Sequence, residues 1–288
     1  MTKRFKGMSA VVTGGASGVG RCLCEALARE GARVVMADIE APALESSASA
    51  LRAEGLDVTG LQADVTSPES MAALAAQSTE LMGNIHILCN NAGVGIKEAQ
   101  RRMWTLTPND WQWGFAVNVM GVANGIRAFV PAMLAHGERG HVVNTSSSNG
   151  GLASMPTTPI YAASKAAVTS MSEVLHYQFL MDAAALNAHV LFPGPHLVNT
   201  NILSAMRNRP EALKDNDEPV AYTTMADLAE ASGIKNLALT EPEEVAEHCL
   251  AGMHARQFWI LPASEAGDAR LNKRMQSILA RQNPKLPG

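Results

Sequence analysis

At 288 residues the chain has room for one large domain or two small ones. Hydrophobic residues make up 47% and charged ones 17%, a balance that excludes a disordered chain and suits a large core. The formal net charge of −4 offers no basic field to nucleic acid or to an anionic membrane surface, so neither is expected as a partner.

Lys3, Arg4 and Lys6 open the chain, and the apolar run behind them is too short for a signal peptide. No apolar stretch is expected to reach membrane-spanning length. Ala10-Val11-Val12 reads as a short strand, followed by Thr13-Gly14-Gly15-Ala16-Ser17-Gly18-Val19-Gly20 and a helix from Arg21 to Glu30. A second strand, Arg33 to Ala37, ends in Asp38. Strand, glycine turn, helix, strand is the arrangement that lets phosphate oxygens approach a helix N-terminus. The glycine spacing (Gly14, Gly18, Gly20) differs from the usual dinucleotide fingerprint. Asp38 lies 18 residues after Gly20, where a carboxylate can hold both ribose hydroxyls and repel a 2′-phosphate. Ile39 follows it, and no cation stands at Ala16 or Ser17, so NAD is expected ahead of NADP. The competing reading is that Asp38 caps the helix after it.

The alternation continues with a helix over Ala43–Glu54, a strand over Asp57–Gln62, and Asp64-Val65. Thr66-Ser67-Pro68-Glu69 opens a helix, and the strand Ile85–Cys89 runs into Asn90-Asn91-Ala92-Gly93. Thr107-Pro108 starts a long helix that contains Asn118, and Gly121 and Gly125 predict close packing along it. The strand Gly140–Asn144 leads into Thr145-Ser146-Ser147-Ser148-Asn149-Gly150-Gly151. Tyr161-x-x-x-Lys165 then begins a helix, with phenol and ammonium on one face and the ammonium expected to lower the phenol's pKa. Such a pair can exchange a proton near neutral pH. A strand over Ala188–Phe192 ends in Pro193-Gly194. Asn201–Leu239 is polar and mixed, and Glu241 to Glu247 opens another helix with Thr240 as the expected cap. Glu265–Arg281 reads as an amphipathic helix. Cys22, Cys24, Cys89 and Cys249 show no metal spacing; all four are read as reduced, and the location as cytoplasmic.

Thr13-Gly14-x-x-x-Gly18-x-Gly20, Asp64-Val65, Asn90-Asn91-Ala92-Gly93, Asn118, Ser147, Tyr161-x-x-x-Lys165 and Pro193-Gly194 stand in the family order of the short-chain dehydrogenases/reductases, which the chain resembles. Stretches such as Val130–Leu134 and Trp259–Pro262 resemble the lignin-related Cα-dehydrogenase branch, which oxidises bulky benzylic alcohols. The resemblance implies a single α/β domain over 1–288, with a Rossmann-like, doubly wound parallel sheet of about seven strands in the order 3-2-1-4-5-6-7. Helices would cover both faces, residues 195–240 would form a substrate lid, and 263–288 a C-terminal extension.

It also implies roles. Tyr161 would exchange a proton with the substrate oxygen, Lys165 would lower its pKa and hold the nicotinamide ribose, Ser147 would hold the substrate oxygen, and Asn118 would tie a water to Lys165. The cofactor would rest on Gly14, Ser17, Gly18, Val19, Gly20, Asp38, Ile39, Asp64, Val65, Asn91, Ala92, Gly93, Pro193, Gly194 and Thr200. Ser148 meets the commoner spacing to Tyr161, but the strand fixes the direction of Ser147, which is preferred. Met155, His196 and Trp104 are candidates to face the substrate. The function implied is hydride transfer between NAD and a secondary alcohol or ketone, in a homodimer or homotetramer without metal. The alternatives are an NADPH-dependent carbonyl reductase and a non-catalytic nucleotide-sensing protein of the same fold.

Overall fold

The computed structural model describes residues 3–99, 101–215, 224–225, 227 and 237–286. Seven parallel strands form one sheet: β1 (Ser9–Thr13), β2 (Arg33–Asp38), β3 (Val58–Gln62), β4 (Ile87–Asn90), β5 (Gly140–Thr145), β6 (Leu186–Leu191) and β9 (Trp259–Ile260), in the order β3-β2-β1-β4-β5-β6-β9. This is the expected order, with β9 as the seventh strand. The chain reverses direction of build between β1 and β4, and in such sheets ligands gather at that crevice.

Strand alternation assigns the two faces. Ala10, Val12, Val34 and Met36 join a core with α1 (Gly18–Arg29), α2 (Ala41–Ala53) and α7 (Pro242–His254). Val11, Val35 and Ala37 pack on the other side with α3 (Pro68–Met82), α5 (Gly121–His136) and α6 (Pro159–Met181). Strands buried on both faces are continuously apolar, which is why β1 and β2 are legible as short hydrophobic runs. All four cysteines are buried and unpaired.

Two expectations need correction. The first concerns α4 (Pro108–Phe115), a π-turn (Ala116–Met120) and α5, which run on as 29 residues long and apolar enough, by length and composition, to cross a membrane. Half of its most apolar 18-residue stretch is buried inside the fold, and Phe129, Val130 and Met133 of the run meet the sheet, so its apolarity serves the core. Second, Thr240 does not cap α7. It lies in β8 (Leu239–Thr240), which pairs with β7 (Leu197–Val198), and the cap is Glu241, in a reciprocal box with Glu244. The expected C-terminal helix is present as α8 (Glu265–Leu279); it buries none of its residues within the chain, and its Arg274 donates to the Leu152 carbonyl at 2.5 Å.

The β7–β8 ladder joins both ends of the segment expected to be a lid. Of that segment, residues 216–223, 226 and 228–236 lie outside the described residues. Gly121 and Gly125 pack closely, as expected, but within the chain: a Cβ at Gly125 would lie 2.0 Å from the Asn90 side chain.

Candidate active site

The site is assembled at the C-terminal ends of β1, β2, β4 and β5. After β1 the chain turns through Gly14 (φ +64°), where a Cβ would lie 2.8 Å from the Ala92 Cα. A Cβ at Gly20 would lie 2.0 Å from the Gly14 carbonyl oxygen, so the turn and α1 close on each other only as glycine. Ser17 is the extended N-cap of α1 and Val19 is buried beneath it. Thr200 leans on the same turn, its side chain 3.0 Å from where a Gly18 Cβ would be.

Asp38 ends β2. Its carboxylate accepts from the Ala16 amide at 3.0 Å and from the Glu40 amide at 3.1 Å, so it ties the glycine turn to the start of α2. Asp38 is not the cap of α2: the N-cap is Glu40, which makes no side-chain capping bond, and Asp38 holds only its amide. Ile39 beside it is exposed. Asp64 accepts from the Thr66 amide and hydroxyl, both at 2.8 Å, and Val65 contacts Gly121 and gives its carbonyl to Asn124.

Asn91 fastens β4 to β1, its amide donating to the Thr13 carbonyl at 3.1 Å, while Thr13 Oγ1 accepts from the Asn91 and Ala92 amides. Gly93 brings two distant residues to one place: a Cβ there would lie 3.4 Å from Asn118 Oδ1 and 3.6 Å from Lys165 Nζ. Asn118 sits in the π-turn, a local widening that often marks a functional site. Its side chain is fully buried and already committed. Oδ1 accepts from the Val94 amide at 2.8 Å, and Nδ2 donates to the Val94 carbonyl and to Ser164 Oγ, each at 3.1 Å.

Tyr161 and Lys165 share one face of α6, as their spacing requires. Lys165 is buried and donates to the Thr145 carbonyl at 2.8 Å, with its Nζ 5.6 Å from the Tyr161 ring centre. Burial lowers its pKa to about 8. The phenol departs from expectation. Burial raises its pKa above the ordinary value, a hydrogen bond with Ser147 pulls it part of the way back, and the Glu98 carboxylate pushes it up again. The ammonium lies over the ring and is held by Thr145, so it does not produce the lowering that the spacing alone suggests.

Ser147, not Ser148, bonds Tyr161; Ser147 Oγ also accepts from the Asn149 amide at 3.2 Å, and Ser148 begins the following π-turn. Met155 is half-buried, its amide donating to Asn149 Oδ1 and its sulfur 3.7 Å from Arg270 of α8. His196 is exposed at the foot of β7, and Trp104 is almost wholly exposed, so neither is drawn towards Tyr161 by packing. Pro193 and Gly194 follow β6, where Gly194 (φ +60°) presses on Thr240.

Three features escaped the sequence. Glu98 is buried against the start of α6, with its oxygens accepting from the Ile160 and Tyr161 amides. Arg209 is buried on Asp110. Glu40 receives Arg207 and Asn208, which brings the 201–208 segment over the end of β2. No local spacing announces any of them, because each partner lies 62 or more residues away in the chain.

The comparisons agree with this geometry. A family model described as short chain dehydrogenase matches residues 8–211. A Cα-dehydrogenase from Sphingobium sp. is 31% identical over 96% of this chain and 87% of its own length. A galactitol 2-dehydrogenase from Cereibacter sphaeroides is 37% identical over 72% of this chain and 78% of its own. A solved short chain dehydrogenase/reductase from Burkholderia phymatum, in complex with NAD, superposes with a TM-score of 0.90 at 37% identity over 99% of both chains. Motif order, sheet order and the meeting of Tyr161, Lys165 and Ser147 have one common explanation: the chain belongs to the short-chain dehydrogenase family, oxidoreductases that interconvert alcohols and carbonyl compounds.

Proposed function

We propose that the protein catalyses the NAD-dependent interconversion of a secondary alcohol and its ketone, with Tyr161 as the group that exchanges the proton. The observation that carries this reading is the convergence of Tyr161, Ser147 and Lys165 at the ends of β5 and α6, beside the glycine turn. The residues present fit a nicotinamide dinucleotide. Gly14, Gly18 and Gly20 leave backbone where side chains have no room, at a helix N-terminus whose first turn carries no acid, which suits a pyrophosphate. Asp38 suits a ribose diol and disfavours a 2′-phosphate. The dinucleotide, when bound, supplies the hydride chemistry.

The chain's own residues do the rest. Ser147 orients the substrate oxygen next to the Tyr161 hydroxyl, which gives a proton to a carbonyl in reduction and takes one from an alcohol in oxidation. Lys165, with a pKa of about 8, keeps most of its charge at neutral pH and offers a donor to the nucleotide ribose. Because burial holds the phenol protonated, oxidation should quicken as pH rises while reduction does not. Asn118 has its side chain engaged by Val94 and Ser164, so a water on the way to Lys165 would rest on its main chain. The Cα-dehydrogenase similarity and the long excursion between β7 and β8, read as a substrate lid, support a bulky or aromatic alcohol.

A screen of secondary alcohols with NAD, followed at the NADH absorbance, tests the activity. Tyr161→Phe should lower turnover by at least about 100-fold while NAD still binds. Retained turnover in that variant removes the assignment. Asp38→Ala should narrow the preference for NAD over NADP; an unchanged ratio removes the cofactor reading.

A further inference from the structure

The helix that carries the proton-exchanging tyrosine begins without a cap of its own. Thr158 is the N-cap residue of α6, yet its side chain makes no capping bond and instead accepts from Asn149 at 2.6 Å. Pro159 has no amide hydrogen, so the first donors that need partners are the amides of Ile160 and Tyr161. Both are taken by one carboxylate from elsewhere in the chain: Glu98 Oε2 accepts from Ile160 at 2.6 Å and Oε1 from Tyr161 at 2.8 Å. Glu98 is 1% exposed, and the cation that acts on it, Arg101, makes its ion pair with Asp110 instead. A buried carboxylate without a direct ion pair is expensive to keep, which calls for a reason.

We propose that Glu98 is a positioning residue of this site, a remote cap whose charge fixes the first turn of α6 and sets the field felt by the Tyr161 hydroxyl. The inference rests on the reading of Tyr161 given above. Two amides demand two acceptor oxygens. The ionised carboxylate provides two strong acceptors, whereas in the protonated acid the hydroxyl oxygen accepts only weakly. Burial raises the Glu98 pKa to about 7, against the pull of the two amides. The change of state therefore falls near neutral pH. Below that pH one bond to the turn bearing Tyr161 weakens. Above it, the anion opposes formation of the phenolate.

The groups facing this carboxylate are few. Asp110 of α4 pushes its pKa up further and Arg101 pulls it down, and Arg101 is itself bonded to Asp110 at 3.0 Å. Arg209 and Asp215 stand beyond Asp110, and Lys165 lies one turn along α6 over the Tyr161 ring. None of these contacts the Ile160 and Tyr161 amides in place of Glu98.

Glu98→Gln keeps the shape, removes the charge and leaves one acceptor oxygen for the two amides. The phenolate absorbance of the wild type minus that of Tyr161→Phe reports Tyr161 by itself, among three tyrosines in the chain. The same difference taken in the Glu98→Gln background should titrate at least about 0.5 pH unit lower. In turnover, Glu98→Gln should lose the acid limb near neutral pH and lower kcat on the order of tenfold, with KM little changed. Thr158→Asp added to Glu98→Gln, placing a carboxylate on the N-cap itself, should restore kcat. A superimposable phenol titration together with an unchanged acid limb overturns the proposal. The titration needs no substrate, so it decides the role of Glu98 even if no alcohol is oxidised, an outcome that would count against the proposed reaction alone. In the wild-type protein, amide exchange over Ile160–Tyr161, corrected for intrinsic chemistry, should quicken as pH falls from 8 to 6. Protection independent of pH there overturns the proposal too, whether or not Glu98→Gln folds.

Discussion

A buried pair of imidazoles makes the protein's stability depend on pH. His189 Nδ1 lies 2.6 Å from the Gln257 carbonyl, which can only accept, so that nitrogen carries the proton. His189 Nε2 is then an acceptor, and it receives Nδ1–H of His141 at 2.9 Å. The pair works only when both rings are neutral. Burial is the leading cause of the lowered values, about 3 for His141 and about 4 for His189. The unfolded chain binds protons near pH 6.5, so between that pH and about 4 it holds two protons that the folded state refuses. The pair's contribution to stability is therefore whole above pH 6.5 and is lost as pH falls. The slope should be about 2.7 kcal/mol per pH unit from the two rings together. Urea unfolding at a series of pH values measures it. His189→Gln offers the same donor and acceptor without titrating and should flatten the slope by about half; an unaltered slope in that variant would falsify the assignment. At this scale the sequence was partly legible. Tyr161, Lys165 and Ser147 are found by spacing because helix and strand geometry fix their directions. Glu98 and the two histidines are invisible there, since what makes them unusual is burial beside residues remote in the chain.

Among the elements, the segment after Thr200 is held by more than its polar composition suggests. Arg209 is 4% exposed and reaches Asp110 at 2.8 Å, Asp215 at 3.0 Å and the Leu213 carbonyl at 2.7 Å, with its guanidinium 5.7 Å from the centre of the Trp113 ring. Asp110 also completes the capping box of α4 with Thr107, and Asp215 accepts from Thr107 and Asn109. Burial pushes the Asp110 carboxyl up, but the Thr107 amide, Arg209 and Arg101 outweigh it and hold it below the usual range. This cluster nails residues 201–215 to α4. The contact of Glu40 with Arg207 and Asn208 fixes the same segment to the cofactor side, at the surface. The two fastenings should differ in strength. Asp110→Ala removes one buried partner of the Arg209 guanidinium and should cost about 3 kcal/mol, the low end for a broken buried pair because Asp215 remains. It should also hasten limited proteolysis within 201–215. Glu40→Ala, on an accessible pair, should cost no more than about 1 kcal/mol. Equal midpoints for the two variants in denaturant would show that the buried cluster does not hold the segment. Short pairings such as β7–β8 and the Glu241 cap were not legible beforehand. Two-residue strands carry no periodicity, and Thr240, the better cap residue by type, is expected as the cap until the ladder claims it.

For the whole molecule, α6 links the site to the outside. Its first turn bears Tyr161 and its middle packs on the sheet through Val168, Leu175 and Phe179. Its last turns leave Val174, Tyr177 and Met181 exposed at helical spacing on one side, Met181 at 83%. Leu180 beside them and Met120 and Leu134 of the neighbouring helical run are exposed as well. An apolar stripe of this extent on one long helix is what an isologous helix-to-helix contact between two copies needs, and it would otherwise stand in water. The expected assembly is therefore a homodimer or a tetramer built from it, with α6 at the contact. Light scattering on the eluting protein should give a multiple of 30.5 kDa for the wild type and 30.5 kDa for Tyr177→Glu/Met181→Glu. Because the same helix positions Tyr161 and Lys165, the dissociated variant should also lose kcat while retaining its fold by circular dichroism. A wild-type mass of 30.5 kDa, or a double variant that keeps the wild-type mass, would show that the stripe on α6 is not where copies meet.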